Sequence, residues 1–239
     1  MNKIVFLASL LAATIVSTGV YAQVTRGNGN VVSQDRSVGS FNAISTSGSF
    51  DLVVTDGSSH KVTVEAEDNL QEFVVVETEG NTLKIRNKKF SNFRATKSIT
   101  IHVTAPDLEA IRLSGSGNVK SENRLDGSQK FEVRSSGSGN IQLELETTQL
   151  SAHISGSGNI TLKGKAKEME GSISGSGNIR ARELQSDITS VKISGSGSAE
   201  VVANEKLDSK IAGSGDVKFW GNGSVNSKVA GSGSVRREK

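Results

Sequence analysis

LSGSGNVK, residues 113–120, pairs a Gly-Ser-Gly core with apolar residues at fixed distances on either side, and the core recurs through the second half of the chain. The first glycines of the seven units are Gly115, Gly137, Gly156, Gly175, Gly195, Gly213 and Gly231, spaced by 22, 19, 19, 20, 18 and 18 residues. Self-similarity at such a period marks a stacked-repeat architecture. Two positions before the first glycine stand Leu113, Ile154, Ile173, Ile193, Ile211 and Val229. Four positions after it stand Val119, Ile141, Ile160, Ile179, Ala199, Val217 and Val235. A flexible Gly/Ser spacer has no reason to keep that phase, because its function depends on length and not on where the next aliphatic residue falls.

Glycine in extended structure costs about 0.5–1 kcal/mol relative to alanine, so the fourteen glycines of the seven units cost about 7–14 kcal/mol, the size of a whole domain's stability. A folded chain carries that load where its backbone requires it. The requirement is either a corner with positive φ, for which Asn118, Asn140, Asn159 and Asn178 are the next most tolerant residues, or a crowded place where a Cβ would clash. Both conditions belong to a chain that coils on itself every 18–22 residues. Around each corner the polarity alternates: Ile154, Ile160 and Leu162 fall on one side, Ser155, Thr161 and Lys163 on the other, as in half-buried strands. The pattern predicts two or three strands per coil, stacked in parallel about 4.8 Å apart, with Asn and Ser forming side-chain ladders along the stack.

The first half reads differently. FDLVVTDGSSHKVTVEA is expected to form a hairpin around Asp56–Gly57, and EFVVVETEGNTLKIRNK a second one around Gly80–Asn81. Pro106 then leads into the first coil. The hairpins, over residues 48–104, are expected to cap the GSG coils of residues 108–236 within a single domain of residues 41–239, preceded by a lead-in of residues 23–40. A separate small domain is the alternative.

Composition bounds the chemistry. Leu, Ile, Val and Phe make up about a quarter of the 239 residues, enough for a folded chain, but with one Trp and one Tyr the core must be slender and aliphatic. Residues 1–22, MNKIVFLASLLAATIVSTGVYA, have the charge, apolar run and small-residue end of a secretory leader cleaved after Ala22. The mature protein is expected to be exported to the periplasm, the outer-membrane surface or the medium, with no transmembrane segment. Cysteine is absent, which excludes disulfides and thiol chemistry. Without Lys3 the balance is 27 basic to 25 acidic residues, which gives no nucleic-acid or polyanion signature.

ISTSGSFDLVVTDG from Ile44, ITIHVTAPDLEAIRLSGSGNV from Ile99 and the serial SGSGNI blocks together resemble the auto-transporter adhesin head GIN domain family of exported proteins, common in Bacteroidetes. The resemblance covers about Phe41 to Val235. It implies a right-handed parallel β-helix, similar in shape to pectin-lyase folds, with no catalytic residues carried over and a role in adhesion. Ser198, Asp216 and Ser234 replace the expected Asn in the last three units, and with no translocator barrel after Lys239 the chain is not expected to be a complete autotransporter.

The rival readings each need residues the repeats do not supply. A polysaccharide lyase or hydrolase requires clustered acids and bases on neighbouring coils, yet no carboxylate pair recurs beside the corners. Lys163, Lys165, Arg180 and Arg182 could line a basic face, but solvated surface charge accounts for them. Calcium-binding rolls require a carboxylate at each corner, where this chain has mostly Asn; a hexapeptide transferase pattern fails at Glu205. His60, His102 and His153 lack metal-like spacing and read as strand-face residues, and the sequons at Asn159 and Asn222 are accidental beside a bacterial leader. No metal or cofactor is expected. Alternation sends Trp220 outward if Val217 and Phe219 face inward, which makes Trp220 the one candidate for contact with a partner. The expected function is non-enzymatic binding of a protein or glycan at the cell envelope, with self-association as a structural component the further alternative.

Overall fold

The computed structural model describes residues 24–126 and 128–239. The leader of residues 1–22 lies outside them. The N-terminal part contains β1 (Thr25–Arg26), β2 (Val31–Arg36), β3 (Ala43–Gly48), β4 (Asp51–Asp56) and β5 (Lys61–Glu67), a 3-10 turn at Asp68–Phe73, then β6 (Val74–Glu79), β7 (Thr82–Asn87), β8 (Phe93–Arg94) and β9 (Thr100–Ala105). The repeat part contains β10 (Ala110–Gly115), β11 (Asn118–Ser121), β12 (Lys130–Gly137), β13 (Asn140–Gly156), β14 (Asn159–Gly175), β15 (Asn178–Gly195), β16 (Ser198–Val202), β17 (Lys206–Gly213), β18 (Asp216–Trp220), β19 (Ser224–Gly231) and β20 (Ser234–Arg237). Together they build a parallel β-solenoid with one glycine corner per coil.

Two walls meet at that corner. On the front wall, residues leading into the corner stack in parallel: β7, β3, β10, β12, the second halves of β13, β14 and β15, then β17 and β19. On the back wall, residues leaving the corner stack as β9, β4, β11, the first halves of β13, β14 and β15, then β16, β18 and β20. The walls are continuous away from the corner, so β13 and β14 each run unbroken for 17 residues. The slender aliphatic interior lies between them. Leu113, Ile154, Ile173, Ile193 and Ile211 from the front and Val119, Ile141, Ile160, Ile179 and Val217 from the back are all buried. Burial at about 25 cal/mol per Å² of apolar surface is the main stabilising term. At the last rung Val225 and Val229 are exposed, since no further coil covers them.

The corner explains the glycine load by both anticipated routes at once. The first glycine of every unit has φ between +126° and +132°. Its carbonyl accepts the next rung's Ser and second-Gly amides: Gly137 O receives Ser157 N at 2.9 Å and Gly158 N at 3.0 Å. A Cβ on Gly156 would sit 2.5 Å from that same Gly137 oxygen, and one on Gly158 would overlap the oxygen of Gly139. Backbone therefore packs directly on backbone, rung upon rung. The Asn that follows does not adopt positive φ; among the described residues only Phe90 and Asp107 do so without being glycine.

The expected hairpin around Asp56–Gly57 does not form. β4 and β5 are both paired with β9, β4 in parallel and β5 antiparallel, so β9 lies between them. The hydrophobic alternation of β4 is that of a solenoid rung: Gly48 is in register with Gly115 and Asp51 with Asn118. Ala43–Asp56 is thus an eighth coil, at the head of the seven recognised from sequence. Phe50 takes the second-glycine place there, because no corner lies beneath it, and its buried ring closes the corner column. The hairpin around Gly80–Asn81 does form, as antiparallel β6 and β7. β2, antiparallel to β5, extends the back wall at this N-terminal end. A fully buried carboxylate, Glu67, fastens the cap by accepting Gly29 N at 2.6 Å, Thr96 N at 2.8 Å and Thr96 Oγ1 at 2.5 Å. No helix among the described residues is long and apolar enough to cross a membrane.

Candidate binding faces

Because every rung repeats in register, outward side chains form columns that run the length of each wall. Next to the corner the back wall carries a directional amide ladder. Asn118 Nδ2 donates to Asp51 Oδ1 at 2.9 Å, Asn140 to Asn118 at 3.0 Å, Asn159 to Asn140 at 2.8 Å and Asn178 to Asn159 at 2.9 Å. Ser198 Oγ then donates to Asn178 Oδ1 at 2.9 Å, and Ser234 donates to Asp216 Oδ1 at 2.7 Å in a second short run. The departures from Asn thus continue the ladder or restart it. Ser234 also lowers the Asp216 carboxyl from its ordinary pKa, since both its hydroxyl and its amide favour the charged form.

Trp220 projects outward, half-buried, beside the buried Phe219. It is in register with Val202 one rung away, and the Arg182 guanidinium lies 4.8 Å from the Trp220 ring centroid. Arg182 reaches this place because β15 carries one extra residue opposite Leu162: pairing passes from Thr161–Arg180 directly to Lys163–Glu183. Such a bulge turns two successive side chains outward. The supposed basic face is thereby dispersed, with Lys163 paired to Glu183 at 2.9 Å and Arg182 committed to Trp220.

The front wall holds a feature that unit-by-unit reading after the corner missed. The column three places before the first glycine reads Arg112, Arg134, His153, Ser172, Lys192, Lys210 and Lys228 in consecutive rungs. Aligning the units upstream of the corner would have disclosed it. Toward the N-terminal half this column is neutralised by Glu132, which pairs with Arg112 and also with Arg134 at 2.9 Å. Burial works to raise the Glu132 carboxyl, but the two arginines outweigh it and hold its pKa below the ordinary value. A groove of about 820 Å³ opens here, lined by Glu109, Arg112, Phe131, Glu132 and His153 among others.

The histidines are dispersed. His60 lies against Phe41, with Nε2 2.9 Å from the Phe41 carbonyl oxygen; His102 faces Glu65 at 3.7 Å on the back wall; His153 stands on the front wall. No group of three or more potential metal ligands assembles among the described residues.

Residues 40–223 match the family model described as "Putative auto-transporter adhesin, head GIN domain". The chain belongs to the GIN-domain family. Solved structures of similar shape include a "putative adhesin" from Bacteroides fragilis NCTC 9343, 25% identical with a TM-score of 0.85, covering 89% of this chain and 99% of that one. A "putative lipid binding protein" from Parabacteroides distasonis ATCC 8503 is 25% identical with a TM-score of 0.76, covering 91% and 100%. A "putative adhesin" from Parabacteroides merdae ATCC 43184, 24% identical with a TM-score of 0.75 and coverage of 91% and 100%, shares the fold. No curated protein matches this GIN-domain chain.

Proposed function

We propose that this GIN-domain chain is a non-enzymatic, exported binding module that acts at the bacterial cell envelope, in the periplasm, on the outer surface or after secretion. The observation that carries the reading is the register itself: outward residues on two rigid walls form unbroken columns, a surface suited to engaging an extended partner at several points. Membership of an adhesin family supports it. Trp220, with one side occupied by Arg182, offers the remaining aromatic surface to a protein or glycan. Catalysis is disfavoured by the engagement of Glu132, which lines the front-wall groove, in ion pairs with both Arg112 and Arg134. The lipid-binding description of the Parabacteroides distasonis relative is not carried over, because the space between the walls is filled with aliphatic side chains.

The test is a glycan array and a panel of envelope proteins probed with the chain and with Trp220→Ala. Specific binding that weakens at least tenfold in the variant is expected. Silence across both panels, or new chain ends after incubation with polysaccharides, would overturn the reading.

A further inference from the structure

Lysines 192, 210 and 228 occupy one column on consecutive front-wall rungs, Lys192 in register with Lys210 and Lys210 with Lys228. All three are exposed. Adjacent rungs lie about 4.8 Å apart, and like charges directly opposite one another on neighbouring strands are destabilising. Several wall charges are answered directly: Glu132 serves Arg112 and Arg134, Glu183 serves Lys163, and Asp208 serves Lys206 at 2.7 Å. Among the described residues, none of these three lysines has a carboxylate within 4 Å to pair with. Asp208, which interacts with Lys210 at longer range, is shared with Lys206 and also accepts Asn226 Nδ2 at 3.0 Å. The column is a line of positive charge without a direct ion pair, offset only at longer range by Asp208.

The lysines flank a groove of about 480 Å³ whose other lining includes Ser190, Ser209 and Asn226. Ser209 alternates inward with Leu207 and Ile211, and its buried Oγ has no hydrogen-bond partner, the one such side-chain atom among the described residues. Beside the lysines on the corner side stand only small residues, Ser194, Ala212 and Ala230. The surface therefore combines a column of lysines one rung apart with a shallow floor of hydroxyl and amide groups, and exposed aliphatic surface is confined to Val225 and Val229 at its last rung.

We propose that this groove binds an acidic polysaccharide with one carboxylate per sugar, laid along the solenoid axis so that successive carboxylates meet Lys192, Lys210 and Lys228. The inference rests on the binding-module reading and gives it a ligand class. A sugar unit in an extended chain is about as long as one rung, so a chain turned to present its carboxylates on one side offers one charge per lysine, and the sugar hydroxyls find Ser190 and Asn226. A broad anionic surface such as a membrane or a duplex would need a broad basic patch, whereas here Glu170 and Asp208 border the row.

Affinity electrophoresis of the full chain through gels containing polygalacturonate, its fully methyl-esterified form, or neutral dextran tests the assignment. Retardation by polygalacturonate alone is expected, weakening with added salt. The triple variant Lys192→Gln/Lys210→Gln/Lys228→Gln should lose at least tenfold in affinity, and the back-wall triple variant Lys120→Gln/Lys163→Gln/Lys218→Gln should lose less than twofold, with both keeping the wild-type far-UV spectrum. Equal retardation by the esterified polymer or by duplex DNA, equal loss in the two triple variants, or no retardation at all overturns the proposal. Binding of a neutral glycan or a protein that survives the front-wall substitutions would overturn it while leaving the binding-module reading intact.

Discussion

Asn159 donates through Nδ2 to Oδ1 of Asn140 at 2.8 Å and accepts Nδ2 of Asn178 on its own Oδ1 at 2.9 Å. Each interior Asn of the ladder is thus donor and acceptor at once, and all donors point toward the N-terminal rung. A carboxylate can occupy only a place where it accepts and need not donate, which is where Asp51 and Asp216 are found.

Substitutions within the ladder should follow that logic. Asn159→Ala removes two hydrogen bonds and should lower stability by about 1–3 kcal/mol. Asn159→Asp keeps the acceptor but sets a carboxylate against Asn140 Oδ1, so its loss should be greater at pH 7 than at pH 4. Denaturant midpoints at the two pH values check this. Equal behaviour of the Asp variant at both would count against the directional ladder.

Gly156→Ala meets two penalties. Alanine at positive φ costs about 1–2 kcal/mol, and its Cβ would collide with the Gly137 carbonyl that two amides already share. The variant should unfold at markedly lower denaturant or fail to accumulate. Ser155→Ala, one place earlier and exposed, should stay within about 0.5 kcal/mol of the parent.

Glu67 gives the N-terminal cap an acid sensitivity. The hydrogen bond from the Thr96 hydroxyl comes first among the causes that lower its carboxyl below the ordinary pKa, with the amides of Thr96, Gly29 and Lys97 adding to it against the opposing effect of burial. A depressed folded pKa means stability that is fully present above the ordinary glutamate value of about 4.3 and is lost as pH falls below it. Hydrogen-exchange protection of residues 25–36 and 93–97, corrected for the intrinsic rate, should fall selectively as pH drops below about 4.3, and Glu67→Gln should abolish most of that pH dependence.

Trp220 is the only tryptophan, so its emission reports its surroundings. Arg182→Ala should expose the ring, shift the emission to the red and cost about 0.5–1 kcal/mol, the worth of a cation–π contact near the surface. Unchanged emission would show that the guanidinium does not cover the ring in solution.

How far the sequence alone reaches can be traced in single residues. The phase of Ile154 and Ile160 about Gly156 disclosed the coil, the wall alternation and the corner, because parallel stacking forces equivalent residues to recur at equivalent places. The first coil escaped that reading. Gly48 stands 67 residues before Gly115, with β5 to β9 inserted between, and Phe50 removes the second glycine of the motif. The Asp56–Gly57 turn then looked like a hairpin, since local alternation cannot reveal that a strand from residues 100–105 enters between β4 and β5. The overall charge balance likewise hid the segregated lysine column.

Sequence by itself determined the repeat, the glycine corners and the thin aliphatic interior, all of which follow from chain stereochemistry and the hydrophobic period. Only the tertiary structure decided which charges share a column and which are answered. Neighbouring rungs bring residues about twenty apart in sequence to within one strand spacing, and one bulge at Arg182 is enough to change an outward partner. Composition averages over such contacts; register resolves them.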